Sequence, residues 1–343
     1  MAGQGMSGRS HLKRWFLCPF LIASRPAISL CLGVATTELE IVDIPTLDPG
    51  ETSLMNLHSV LNVLNVLHGE LTLLGLYLAD DPDLLRPALE HCEQMQKDLI
   101  DPDASLHHAT TLPDTIASIE HCIAQVLDSR PESNNNAEVQ DSLGNLQSVF
   151  KVFEVRAREL LARTQMPDQW VEVPVESLRA DQHEIFAAIE KNSHGRYRIL
   201  YNLAQQEQSD YYVNLSIESE DRQVVVMPLI FKDVMRDLLA NARKYTPPGG
   251  TISAGLYVTA ETLKFTVQDT GRGIPPDELD TVVHYGQRGS NVSEVRTMGG
   301  GFGLTKAFLV TKQFGGRFWI RSEVGVGTRI RIELPRPPAV KQA

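Results

Sequence analysis

The stretch that decides the fold is Leu263-Lys-Phe-Thr-Val-Gln-Asp269-Thr-Gly271-Arg-Gly273-Ile-Pro275. Apolar and polar residues alternate over 263–268, the period of a half-buried strand. Asp269 ends that strand, and two glycines free the backbone behind it. A buried carboxylate at a strand end can accept a hydrogen bond from an exocyclic amine, while glycines let the chain approach a flat ring without a Cβ clash. Alone, the run also reads as an ordinary Asp-Gly turn.

Working outward, the two-residue period recurs. Tyr211, Val213, Leu215 and Ile217 alternate, residues 224–227 read as a short buried strand, and residues 251–259 alternate after a Pro247-Pro-Gly-Gly250 turn. Downstream, residues 318–322 and 329–334 form a predicted hairpin across 323–328. Helical periodicity occupies residues 228–244 and 304–314. Strands and helices segregate without regular βαβ alternation, so the expected class is α+β with a mixed sheet.

Three further stretches accompany the first. Asp237, Asn241 and Lys244 lie at i, i+4 and i+7 and share one helix face. A carboxylate, an amide oxygen and an ammonium there suit a hydrated Mg2+ beside phosphates, because Mg2+ takes hard oxygen ligands and keeps waters. The alternative is a solvated helix face. Gly299-Gly-Gly301-Phe-Gly303-Leu304 opens onto a helix, where free amides and the helix dipole attract phosphate. It is not a Walker loop, since the closing Lys-Ser/Thr is missing, and not a dinucleotide fingerprint, since no strand immediately precedes it. The polar residues 278–298 before it read as a lid. Gly325-Val-Gly327-Thr328 completes the set.

In combination these stretches resemble the ATP-binding domain of sensor histidine kinases, the GHKL or Bergerat-type α/β sandwich also found in gyrase, the Hsp90 chaperones and MutL. The resemblance covers about residues 213–335. It implies ATP and Mg2+ as cofactors, with Asn241 as the Mg2+ ligand. It also implies Lys244 and Tyr245 as phosphate- and nucleotide-side contacts, and Asp269 as the adenine acceptor beside Gly271 and Gly273. Gly299, Gly301, Gly303 and Leu304 would wrap the phosphates, and Thr328 would support Asp269 from the next strand. Asp237 keeps a carboxylate where ATPases of the superfamily hold a water-activating Glu. The chain departs from the family before the lid, where Val282-Val-His-Tyr285 stands for the usual Phe-x-x-Phe element.

The first half is helical by pattern. Leu54, Leu57, Leu61, Leu64, Leu67, Leu71 and Leu74 recur at spacings of three and four, with Thr52 or Ser53 as a cap and Asp80-Asp81-Pro82 as a stop. Further helices are predicted near 84–100, 113–127 and 139–163, with patches at 181–190 and 197–207. Leucine seams of this kind build bundles or dimers, so a homodimer through this region is expected. The family also needs a phosphoacceptor histidine on such a hairpin. His58-Ser-Val-Leu-Asn62-Val-Leu-Asn-Val-Leu-His-Gly69 is similar to its His-Glu-Leu-Arg-Thr-Pro-Leu-Asn-Ala-Ile-Leu-Gly run, which implies His58 as acceptor and Asn62 as a water-positioning partner. Ser59 replaces the acidic neighbour and Val63 the proline. His68, with Thr72 four residues on, is the rival; either histidine could instead be an ordinary bundle residue.

The chain has 343 residues and a net charge of −11, with 42% hydrophobic residues, enough for a normal core and against a nucleic-acid binder. Cys18, Cys31, Cys92 and Cys122 form no CxxC pair and read as plain thiols of a cytoplasmic protein. Lys13 and Arg14 precede an apolar run that imitates an export signal, but Arg25-Pro26 splits it, so a membrane role is not expected. The expected organisation is an extension over 1–50, a helical dimerisation and phosphotransfer-like region over 51–208, an ATPase domain over 209–336, and a tail over 337–343. The function this implies is an ATP-dependent histidine autokinase passing phosphate to an aspartate on a response-regulator receiver domain. Two alternatives stay open: a catalytically weak phosphotransfer scaffold, and a Ser/Thr kinase of the anti-sigma type on the same fold.

Overall fold

A computed structural model describes residues 38–132, 136–165, 168–191, 193, 195–221, 223–292, 294 and 301–337. The export-like run with Cys18 and Cys31, the first two glycines of the Gly299 loop and residues 338–343 lie outside them.

Helix α1 (Pro49–Ala79) starts earlier than Thr52 or Ser53 would place it. Its N-cap is Asp48, whose Oδ1 accepts from the Glu51 amide at 2.8 Å while Glu51 Oε2 accepts from the Asp48 amide at 3.0 Å. That reciprocal box satisfies two orphan donors, and Pro49 fills a first-turn position that needs none. Asp80, left-handed at φ 53°, stops the helix. Helices α2 (Arg86–Asp98), α3 (Pro102–Thr110), α4 (Leu112–Asp128) and α5 (Ala137–Gln165) follow. Of these bundle helices α3 alone has no counterpart among the expected ones; Asp101 is its cap, with Oδ1 accepting from the Asp103 amide, and Pro102 fills its first turn. Leu64, Leu67, Leu71 and Leu74 of α1 are wholly buried among residues of α2, α4 and α5, such as Leu89, Ile119 and Phe153. This part of the leucine seam is therefore filled within the chain, while Val66, Leu73 and Tyr77 of α1 and Val152 and Val155 of α5 stay exposed. By length and composition the Leu57–Ala79 segment could cross a membrane, yet its apolar stripe is this bundle's core.

The second core belongs to a seven-stranded mixed sheet, ordered β1-β8-β9-β7-β6-β4-β3. Its strands are β1 (Leu39–Ile41), β3 (Ile199–Leu200), β4 (Tyr211–Ser219), β6 (Thr251–Val258), β7 (Thr262–Asp269), β8 (Arg317–Glu323) and β9 (Gly327–Pro335). The β3–β4 and β4–β6 pairings are parallel and the rest antiparallel. In β7, Leu263, Phe265 and Val267 point inward while Lys264 faces out, as the alternation requires. Helices α6 (Val175–Lys191), α7 (Phe231–Tyr245) and α8 (Phe302–Gln313) bury Phe186, Phe231, Leu238 and Phe308 into the same core. A separate two-stranded sheet pairs β2 (Trp170–Pro174) with β5 (Val224–Pro228).

Three local expectations change. Residues 39–41, assigned to the extension, form β1 on the sheet edge. Residues 170–200, assigned to the helical region, contribute β2, α6 and β3 to the second core. The helical patch at 197–207 is β3 and a single 3-10 turn, because Ile199 pairs with Tyr211 and Asn202 caps the turn through its side chain. Tertiary pairing overrides a short helical period in each case.

Candidate active site

A cleft of about 440 Å3 opens between α7, the residues before α8, the end of β7 and α1. His58, Asn62, Asp237, Asn241, Lys244, Tyr245, Asp269, Gly273, Gly301, Gly303, Leu304 and Thr328 all line it. Gly271 does not line it but holds Asp269 in place, and Gly299 lies outside the described residues. His68 sits elsewhere on α1, 3.7 Å from Glu93.

Asp269 is the anchor at one end. Its Oδ1 accepts from the Gly271 amide at 2.8 Å and the Thr328 amide at 3.2 Å. Thr328 thus supports it through backbone, and its hydroxyl bonds Ser322 Oγ at 2.8 Å. Ser322 is buried and also takes the Ile274 amide at 2.8 Å, which fixes the glycine turn against β8. Gly273 is left-handed at φ 70°, and a Cβ there would collide with the Glu323 carbonyl. Burial pushes the Asp269 carboxyl up to about 6, against the pull of its two amide donors.

The α7 face lies across the cleft. Gly303 closes on it: a Cβ at 303 would stand 3.0 Å from Asn241 Nδ2. The missing side chain leaves room around Asn241 and Asp237, so an oxygen-donor set of this type fits a small hydrated divalent ion. Burial and the charges of Arg288 and Arg243 push Lys244 down to about 8. Beneath the face, Lys306 of α8 is buried between Asp233 at 3.2 Å and Asp237 at 3.4 Å, and Arg236 also pairs with Asp233. This ion cluster went unread in the sequence, because Asp233 and Lys306 are 73 residues apart and only helix packing joins them.

His58 reaches the cleft from the bundle. Its ring meets Phe302, the first residue of α8, edge to face at 5.2 Å, and Tyr285 stacks on the same phenyl ring at 4.7 Å. Asn62 Nδ2 lies 3.4 Å from His58 Nε2. Burial lowers the imidazole pKa, with Asp237 opposing and Lys306 and Lys244 adding to the effect. Phe302 and Arg288 were not expected at the site; the signals were the aromatic residue inside Gly299-Gly-Gly-Phe-Gly303 and Tyr285 of the Val282-Val-His-Tyr285 element. In the lid segment, Asn291 Nδ2 donates to the Gly273 carbonyl at 3.0 Å and Arg288 to that of Val292 at 2.9 Å. Residues 293 and 295–300 lie outside the described residues.

A mixed sheet with a carboxylate at a strand end, an asparagine-bearing helix and a glycine-bordered cleft defines an ATPase-type domain. Residues 228–338 match the family model of the histidine kinase-, DNA gyrase B- and HSP90-like ATPases. Among characterised proteins, the chain is 38% identical over 105 residues to the adaptive-response sensory kinase SasA of Synechococcus elongatus, covering 30% of this chain and 27% of that one. It is 34% identical over 105 residues to the histidine protein kinase DivJ of Caulobacter vibrioides, covering 30% of this chain and 17% of that one. The match thus spans about a quarter or less of these relatives. Of solved structures, the mycobacterial sensor histidine kinase MprB aligns at 21% identity with a TM-score of 0.36, over 50% of this chain and 99% of that one. The α+β class and the sensor-histidine-kinase type of the ATP-binding domain hold as expected.

Proposed function

We propose that the protein is an ATP-dependent histidine autokinase with His58 as its phosphoacceptor. The observation that carries the reading is that His58 and the nucleotide-side residues Asp269, Asn241 and Lys244 border one cleft. Asp269 accepts from the adenine amine, as a fixed carboxylate at the closed end of a cleft suits. Lys244 and the amides at the start of α8 meet the phosphates. Asn241 holds Mg2+, which offsets phosphate charge when bound.

His58 is the nucleophile. Its lowered pKa keeps a ring nitrogen unprotonated near neutrality, and Phe302 fixes the ring's plane. The nitrogen lone pair attacks the γ-phosphorus as the bond to the β-phosphate oxygen breaks; ADP leaves with that electron pair, and the imidazolium proton passes to solvent. Asp237, which favours a positive charge on the ring, stabilises the imidazolium as it forms. Asn62 lies close enough to place a water for the reverse hydrolysis. The phosphoryl group then goes to a receiver-domain aspartate of a response regulator.

Labelling with γ-phosphate-tagged ATP tests the reading. His58→Ala is expected to bind nucleotide normally and take no acid-labile label, while Asn241→Ala loses both. Undiminished label on His58→Ala removes the assignment of His58.

A further inference from the structure

From a leucine seam filled within the chain and the docking of His58 at its own chain's cleft, we infer that phosphoryl transfer is intrachain: each nucleotide site serves the histidine of the same polypeptide. The inference rests on the autokinase reading and adds which histidine each site reaches.

Three independent features hold His58 to its own site. The first is the bundle. A two-helix hairpin exposes an apolar stripe that only a second chain can cover. Here Leu64, Leu67, Leu71 and Leu74 are already covered by α2, α4 and α5, so the stripe that follows His58 along α1 is held by its own chain.

The second is a tether on the N-terminal side. Strand β1 pairs antiparallel with β8, Leu39 opposite Ile320 and Ile41 opposite Phe318. Glu40 bonds Arg317 Nε at 2.9 Å and Glu38 bonds Arg331 Nε at 3.1 Å, while both guanidinium groups stack on Trp319, at 4.6 and 3.6 Å. Charge pairs of this kind are worth little one by one, but the register of a paired strand fixes position. Residues 42–47 alone separate this strand from the N-cap Asp48, and His58 follows ten residues later on the same helix, about 15 Å of rise.

The third is the far end of the bundle. Helix α5 runs towards β2, and Asp168 between them accepts from Gln313 of α8 at 3.0 Å. Arg236 of α7 lies 3.9 Å from Glu159 of α5. The bundle is thus fastened to the ATPase half both before and after the acceptor helix, and His58 itself meets Phe302 of α8. Such fastening makes the encounter intramolecular, and a prealigned nucleophile gains the rate that freely diffusing partners lose to orientation.

The test co-produces two full-length variants in one cell with tags of different size, so that any mixed assembly forms during synthesis. One is His58→Ala, with an intact nucleotide site; the other is Asn241→Ala, with an intact acceptor and no nucleotide binding. Intrachain transfer leaves both chains without label. Label on the Asn241→Ala chain means that a neighbour's site reached it and overturns the inference. A measurement free of variants runs beside it: the first-order rate constant of wild-type labelling stays unchanged across about a hundredfold dilution. A rate that falls with dilution also overturns intrachain transfer. A wild-type chain that takes no label removes the autokinase reading itself, whereas label crossing between chains removes only the inference.

Discussion

The two halves of this molecule are buried in different ways. The bundle core is almost wholly apolar; its buried polar residues, Ser105 and Ser142, are small and hydrogen-bonded to a carbonyl and to Glu70. The ATPase half buries Asp233, Lys306, Asp210, Thr305 and Ser322 beside its aliphatic residues. A helical bundle gains stability by filling space, and any shape-matched hydrophobe serves. A cleft for a charged ligand must hold charges in fixed places, and those are tolerated inside only when paired. Stability in the first half and chemistry in the second thus depend on different kinds of contact, and they meet where His58 touches Phe302.

The largest expected effect lies in the bundle. Phe153→Ala leaves a cavity among packed helices and should destabilise by about 4 kcal/mol, while nucleotide affinity stays the same. Calorimetric melting and nucleotide titration check this together; an equal loss of affinity would mean the halves are not separable.

Next, Lys306→Met strips a cation from between two buried carboxylates. Arg236 still holds Asp233, so the loss should fall near the low end for broken buried pairs, about 3 kcal/mol. Unlike Phe153→Ala, it should also weaken nucleotide binding, because Asp237 lines the cleft. Unchanged affinity would confine the ion cluster to a structural role.

A smaller effect concerns Asp269. Its folded pKa, about 6, stands above the usual carboxylate value, so the carboxyl takes up its proton as pH falls through that point. Only the ionised form is a pure acceptor for an amine. Nucleotide affinity should therefore drop by up to about tenfold for each pH unit below 6, and Asp269→Asn should flatten the profile. A dissociation constant that does not change between about pH 5 and about pH 8, read by titration, would remove Asp269 as the base-side acceptor.

The smallest effect is a proton. Lys244, lowered to about 8, is about half neutral at that pH. A phosphate beside it favours the charged form, so binding should take up at most about half a proton. Binding heats measured in buffers of different ionisation enthalpy would reveal it; identical heats would place the phosphates away from Lys244.

Much of this architecture was legible in the chain. Period-two runs at 211–217, 251–259 and 263–268 gave real strands, since alternation on a sheet with one covered face needs no distant information. The same holds for the helix bearing Asp237, Asn241 and Lys244, whose spacing fixes one face wherever the helix lies. The glycines could be read because close approach leaves no substitute at Gly273 and Gly303. Short segments with weak patterns were not legible. Three residues at 39–41 carry no period, and only an open edge at β8 makes them a strand.

The amino-acid order by itself determined the longer elements and the chemical kinds of group available for a nucleotide, because those follow from local period, caps and side-chain chemistry. What only the tertiary structure decided is which groups meet. Whether α1 closes its leucine stripe against its own chain, whether Lys306 lies between two aspartates, and whether His58 faces the cleft all depend on packing between residues far apart in sequence. Such contacts are set by the complementarity of whole faces, which no single stretch of the chain contains.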